Sequence, residues 1–198
     1  MLFKKYIDEL YKNAESIKVT KNSKILITFE SALQTVIKKL KKFQKNNNKK
    51  VIFIGNGGSS SIASHCSIDY SRTAGIRAQN FNDGASLTCL GNDYGYEYVF
   101  SKQIELHGQK DDILVAISSS GNSQNIINAV KVGKKKKMYI ITLSGFKENN
   151  KLRALGNLSF YVSSNSYGFV EILHLIILHS FLDFLMNKNL KIWKIIQF

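Results

Sequence analysis

Short, continuous apolar runs, each stopped by glycine or serine, restrict the fold of this chain more than any other feature. Val51-Ile52-Phe53-Ile54 ends at Gly55, and Ile113–Ile117 ends at Ser118. Tyr139–Leu143 is similar, and weaker runs occupy Arg77–Phe81 and Leu158–Val162. Runs without polar alternation suit strands covered on both faces, as in a parallel sheet. Helical patterns separate them, over 59–72, 95–106, 122–134, 147–154 and 167–187. Two further helices are predicted ahead of the first strand, over 2–14 and 26–46. In the second, Leu26, Phe29, Leu33, Val36, Ile37 and Leu40 recur at helical spacing, and Gln44-Lys45-Asn46-Asn47-Asn48 ends it. Proline is absent, so glycine and asparagine supply the breaks.

This order predicts one α/β domain, a three-layer doubly wound sandwich with a five-stranded parallel sheet, preceded by a helical pair. Residues 1–48 are expected to pack an oligomer and 49–188 to form the α/β core.

Charge invites a nucleic-acid reading, since the chain of 198 residues carries +14. The distribution weakens it. Residues 1–50 hold thirteen lysines against four acidic residues, a balance of +9, which leaves +5 for the rest. The lysine runs Lys38–Lys42 and Lys134–Lys137 are not interleaved with aromatic residues as a single-strand groove needs, so solvated helix faces are expected and no specific nucleic acid. The most apolar stretch, Phe169–Met186, is interrupted by Glu171, His174, His179 and Asp183, which argues against a membrane span. No secretory signal follows the first residues. Cys66 and Cys89 form neither a disulfide framework nor a metal spacing. A reduced, cytoplasmic protein is expected.

In a doubly wound sheet, ligands bind beyond the carboxyl ends of the strands. Two loops there have the composition an anion needs: Gly55-Asn56-Gly57-Gly58-Ser59-Ser60-Ser61 and Ser118-Ser119-Ser120-Gly121-Asn122-Ser123. Glycine lets backbone N–H groups come close, the following helix adds partial positive charge, and serine hydroxyls donate further bonds. One such turn is ordinarily a helix cap; two at successive strand ends point to a ligand. Neither fits a Walker A or a Gly-x-Gly-x-x-Gly pattern, so a sugar phosphate is expected rather than a nucleotide.

Ionisable groups fall on two helices. His65 and Asp69, at i and i+4, share one face. Glu171, His174 and His179 follow on the last helix. His179 lies about 12 Å along the axis from Glu171 and roughly 80° around it. One straight helix does not easily bring both to one atom. Either Glu171 lies in a frayed first turn, or the two serve different sites, including sites across a subunit interface. A core or interface histidine competes evenly here with a base or metal site.

Gly55-Asn56-Gly57-Gly58-Ser59, His65, Gly91-Asn92-Asp93, the serine loop, and the closing His174 and His179 together resemble the SIS-domain phosphoheptose isomerases through nearly the whole chain. The resemblance implies a homotetramer with active sites at subunit interfaces, assembled with help from the N-terminal helices. It implies conversion of D-sedoheptulose 7-phosphate to D-glycero-D-manno-heptose 7-phosphate for bacterial surface heptose, and one zinc per site. By position, Asn56, Gly57, Gly58, Ser59, Asp69, Asn92, Asp93, Ser118, Ser119, Ser120, Ser123 and Glu171 would hold substrate. His65, Asp69, Glu171 and His179 would be metal positions, with Asp69, Glu171 and His179 catalytic. Two positions depart from the family: Asp69 stands where a glutamate is usual, and Glu171 where a glutamine is common. The competing class is a non-catalytic SIS-domain sugar-phosphate sensor or assembly protein. A sensor needs no acid–base groups, so the histidine–carboxylate pairs favour an enzyme.

Overall fold

A computed structural model describes residues 1–45 and 48–186. The expected helix ends at 46 and 187 lie outside those residues. Helix α1 (Leu2–Glu15) leads into a hairpin, β1 (Lys18–Lys21) and β2 (Ile25–Ile27), and then α2 (Phe29–Lys45). The core follows as β3 (Lys50–Gly55), α3 (Gly58–Ala74), β4 (Arg77–Asn80), α4 (Gly84–Tyr94), a 3₁₀ turn (Tyr96–Tyr98) and α5 (Val99–His107). It closes with β5 (Ile113–Ser118), α6 (Gln124–Lys135), β6 (Tyr139–Ser144), β7 (Leu158–Tyr161) and α7 (Tyr167–Leu185).

The sheet among the described residues has seven strands, in the order β2-β1-β7-β6-β5-β3-β4. The five expected strands, β3 to β7, are all parallel. The hairpin adds two antiparallel strands beside β7, with Val19 opposite Phe160. This corrects the expected start of the second helix at residue 26: Leu26 pairs with Thr20 in the hairpin, and α2 begins at Phe29. The missed signal is the turn at Asn22 and Ser23, both at positive φ (50° and 62°).

Strand residues divide between two cores, as the lack of polar alternation requires. On β3, Val51 and Phe53 face one core with α2, α3 and α7, while Ile52 and Ile54 face the other with α5 and α6. On β5, Val115 and Leu114 divide the same way. Helix α7 is long and apolar enough, by length and composition, to cross a membrane. Here it is a core helix, burying Val170, Leu173, His174, Ile177, Leu178, Phe181 and Leu182.

Two other helix boundaries need correction. Residues 147–154 form successive turns rather than a helix, held by Asn150, whose Nδ2 donates to the Lys147 carbonyl at 2.9 Å and the Gly145 carbonyl at 3.3 Å. The helix expected over 95–106 is instead the 3₁₀ turn and α5, preceded by α4. Helix α4 buries no residue, so it leaves no apolar stripe to read. Its N-cap is legible: Asp83 accepts from Ser86 N–H at 2.8 Å.

Strand order positions the site. From β3 the chain moves outward to β4, then returns across β3 to β5 on the other side. The reversal leaves a crevice between the carboxyl ends of β3 and β5, where such folds take ligands. Both candidate loops open into it.

Candidate active site

Helix α3 starts at Gly58, directly after the β3 loop, with Gly57 at φ 53° as its N-cap. Helix α6 starts after Ser123 on the opposite face of the sheet. Neither has an acidic residue of its own in its first turn. The partial positive charge at the start of α6 is left for a ligand, while that of α3 faces the Glu171 carboxylate from α7. Between them is a pocket of about 250 Å³. Its lining includes Asn56, Gly57, Gly58 and Ser59 from the first loop, and Ser118, Ser119, Ser120 and Ser123 from the second. The two loops predicted from residue type therefore share one cavity.

The serine loop is braced from behind, leaving hydroxyls in front. Gly121 takes φ 64°, and its N–H returns to the Ser118 carbonyl at 2.9 Å. A Cβ at Gly121 would collide with the Asn150 side chain. Gly145 N–H donates to the Ser119 carbonyl at 2.9 Å, and Leu152 N–H to the Gly121 carbonyl at 2.9 Å. Ser123 makes no side-chain cap bond to α6; its Oγ lies 3.1 Å from Ser118 Oγ. Ser119 Oγ is buried without a partner among the described residues.

Glu171 joins this pocket from α7. Its carboxylate lies against Gly58, where a Cβ would overlap both oxygens. Farther along the same two helices His65 meets His179, with their Nε2 atoms 3.1 Å apart. His65 Nε2 is also 3.2 Å from Asp69 Oδ2. Contacts at Gly58–Glu171 and then His65–His179 mean that α3 and α7 run in the same direction, nearly in register. The four expected metal positions thus divide. His65, Asp69 and His179 bring ligand atoms within 4.8 Å of one another, while Glu171 stays at the pocket, two turns away.

Those three residues fit a metal. Zinc with ligands at about 2.0–2.1 Å in tetrahedral geometry sets neighbouring donor atoms roughly 3.3 Å apart. The observed 3.1 and 3.2 Å approach that spacing. Three protein ligands would leave a position open, as catalytic zinc requires.

The other expected residues are placed differently. Asn92 and Asp93 are exposed near the end of α4, bonded to each other at 3.0 Å, and do not line the pocket of this chain. His174 is fully buried, with neither ring nitrogen in a hydrogen bond of normal geometry among the described residues, despite the nearby Ser144 backbone. Burial lowers its pKa to about 4. Residue type also gave no notice of Tyr167, which lines the pocket. Burial pushes the Cys66 thiol, one residue from His65, up to about 12.

A doubly wound sheet with two glycine- and serine-rich loops at its switch point, beside histidine–carboxylate groups, defines a protein built to bind a phosphorylated small molecule. The chain belongs to the SIS domain family, whose model matches residues 5–145, and within it to the phosphoheptose isomerases. It is 34% identical over 171 residues to a phosphoheptose isomerase of Helicobacter hepaticus, covering 82% of this chain and 85% of that one. A phosphoheptose isomerase of Sulfurimonas denitrificans is 34% identical over 193 residues, covering 93% and 96%. The solved phosphoheptose isomerase of Neisseria gonorrhoeae superposes with a TM-score of 0.75 at 27% identity, covering 93% of this chain and 97% of that one.

Proposed function

We propose that this chain isomerises D-sedoheptulose 7-phosphate to D-glycero-D-manno-heptose 7-phosphate, in the cytoplasm, for bacterial surface heptose. The observation that carries the reading is the shared pocket of the two loops, in a chain whose relatives are named phosphoheptose isomerases. Two free cysteines accord with a reducing compartment.

The hydroxyls of Ser118, Ser119, Ser120 and Ser123 and the N-terminus of α6 hold the phosphate, with Asn56 and Ser59 on the facing wall. The chemistry moves protons without a net oxidant. A base removes a proton from C1 while O2 gains one, and the resulting enediol loses the O1 proton as C2 is protonated. Such a base near neutral pH typically contributes ~10²–10⁴-fold. Glu171, inside the pocket, takes part of that role. Asp69 and His179 supply the opposing acid–base pair. Zinc held by His65, Asp69 and His179 would take the place of that pair and polarise the sugar oxygens instead.

About 12 Å of helix separates Glu171 from His179, so one chain does not present both to one reacting carbon. A homotetramer resolves this if each pocket receives the His65–Asp69–His179 group of a neighbouring copy. Exposed apolar side chains on the same helices support such an interface: Ile68 on α3, and Ile172 and Ile176 on α7. The exposed Leu2, Phe3 and Tyr11 of α1 extend it. Asn92 and Asp93 would then also reach substrate in the assembly.

The test is isomerase activity of Glu171→Gln and Asp69→Asn. Each should lose ~10²–10⁴-fold in kcat. If Glu171→Gln keeps full activity while Asp69→Asn abolishes it, Asp69 alone is the base. If neither matters in an active enzyme, the catalytic assignment is wrong.

A further inference from the structure

Asn56 is the pocket residue whose side chain is most fully bonded to its surroundings, and its partners lie outside the pocket. Asn56 Nδ2 donates to Asn125 Oδ1 at 3.0 Å, and Asn125 Nδ2 donates back to Asn56 Oδ1 at 2.9 Å. Tyr96 O–H also donates to Asn56 Oδ1, at 3.1 Å. Ile126 N–H donates to Asn125 Oδ1 at 2.9 Å.

The direction of every bond in this chain follows from one end. A backbone N–H can only donate, so the atom of Asn125 facing Ile126 must be its oxygen. The Asn125 amino group then faces Asn56, and Asn56 must answer with its own oxygen. That oxygen has two acceptor sites. Asn125 fills one and the Tyr96 phenol the other. Asn56 has no acceptor capacity left, and its remaining group is a single N–H.

We propose that Asn125 and Tyr96 are positioning residues that hold Asn56 as a hydrogen-bond donor toward the pocket, so the ligand atom it meets is an acceptor oxygen of the phosphate or sugar. The polarity originates in the first turn of α6, the helix whose start also borders the serine loop. Tyr96 is 59% exposed, and its turn is tied to α6 by Asn128 Nδ2 donating to the Glu97 carbonyl at 2.9 Å. Without the phenol, Asn125 still fixes which way the Asn56 amide faces, but one acceptor site opens and the oxygen is held by one partner instead of two. A looser amide presents its N–H to the ligand oxygen less often. This inference rests on the reading of the pocket as a sugar-phosphate site.

Tyr96→Phe keeps the ring and deletes the hydroxyl. One hydrogen bond of ordinary strength corresponds to a roughly three- to tenfold effect, expected as a rise in KM for sedoheptulose 7-phosphate with kcat little changed. In an Asn56→Ala background the same substitution should do nothing further, because its route is gone. An equal KM penalty in both backgrounds, or none in wild type, overturns the proposal. A second arm needs no substrate: side-chain amide NMR of Asn56 in wild type and Tyr96→Phe. The relay predicts a changed Asn56 resonance and faster amide exchange in the variant. An unaltered Asn56 amide overturns the relay. Absence of turnover by wild type counts against the isomerase reading, and the amide arm then decides the relay by itself.

Discussion

Acidification from pH 7 to pH 5 should cost this protein stability through one residue, His174. Its imidazole is fully buried on α7 and its pKa is lowered from 6.5 to about 4 by burial. The folded chain thus holds it neutral at a pH where the unfolded chain would protonate it. Stability from this source is complete above about pH 6.5 and falls as pH drops toward 4, because the unfolded state binds the extra proton. With those two values the loss between pH 7 and pH 5 is about 2 kcal/mol, approaching about 3 kcal/mol near pH 4. The assay is urea unfolding of wild type and His174→Leu at several pH values and one protein concentration. His65, His107 and His179 are common to both proteins, so their titration cancels in the difference. The stability difference should shift in favour of the leucine variant by about 2 kcal/mol between pH 7 and pH 5. Parallel pH profiles would show that burying a neutral His174 carries no such cost.

Gly121→Ala should lose sugar-phosphate binding and at least ~1–2 kcal/mol of stability, since it forces a left-handed residue against Asn150; binding calorimetry and urea unfolding check this. Asp112→Ala should cost ~3–5 kcal/mol. Asp112 is fully buried, accepts from the backbone of Lys50 and Gln109, and pairs with Lys50 Nζ at 3.0 Å; an unchanged unfolding midpoint would contradict it. His65→Ala and Asp69→Asn should each weaken zinc binding by more than the roughly tenfold typical of losing an outer partner. Competition against a chromophoric chelator measures this, and unchanged affinity would remove the metal assignment. Mixed oligomers of a Ser120→Ala/Ser123→Ala variant and a His179→Ala variant should regain activity that neither parent has, if pockets draw on two copies. Oligomers that mix without regaining activity would place the whole site in one chain.

Strand runs, both anion loops and the histidine–carboxylate spacings are local patterns, so they were legible in the sequence. The axial distance from Glu171 to His179 was legible too, because helix rise is fixed, and the structure keeps the two apart. What sequence could not supply are the pairings across the fold. Gly58 meets Glu171 and His65 meets His179 only because α3 and α7 lie parallel on one face of the sheet. Asn56 meets Asn125 across 69 positions because the chain reverses between β3 and β5. Helix α4 escaped notice for a different reason, its lack of a buried face. The hairpin was hidden because Leu26 and Phe29 happen to fall at helical spacing while only Phe29 lies in α2.

The central claim, that this pocket interconverts a ketose and an aldose phosphate, is tested most directly by NMR of sedoheptulose 7-phosphate incubated with the purified protein. The same incubation is run with a chelator and with the Ser120→Ala/Ser123→Ala variant. With wild type, an anomeric aldose signal from a heptose 7-phosphate should appear. Solvent deuterium should enter at C2, where the enediol is reprotonated. The serine variant should produce far less. An unchanged ketose spectrum with folded, metal-replete protein would rule out isomerisation in this pocket, as would product formed equally well without the two serine hydroxyls.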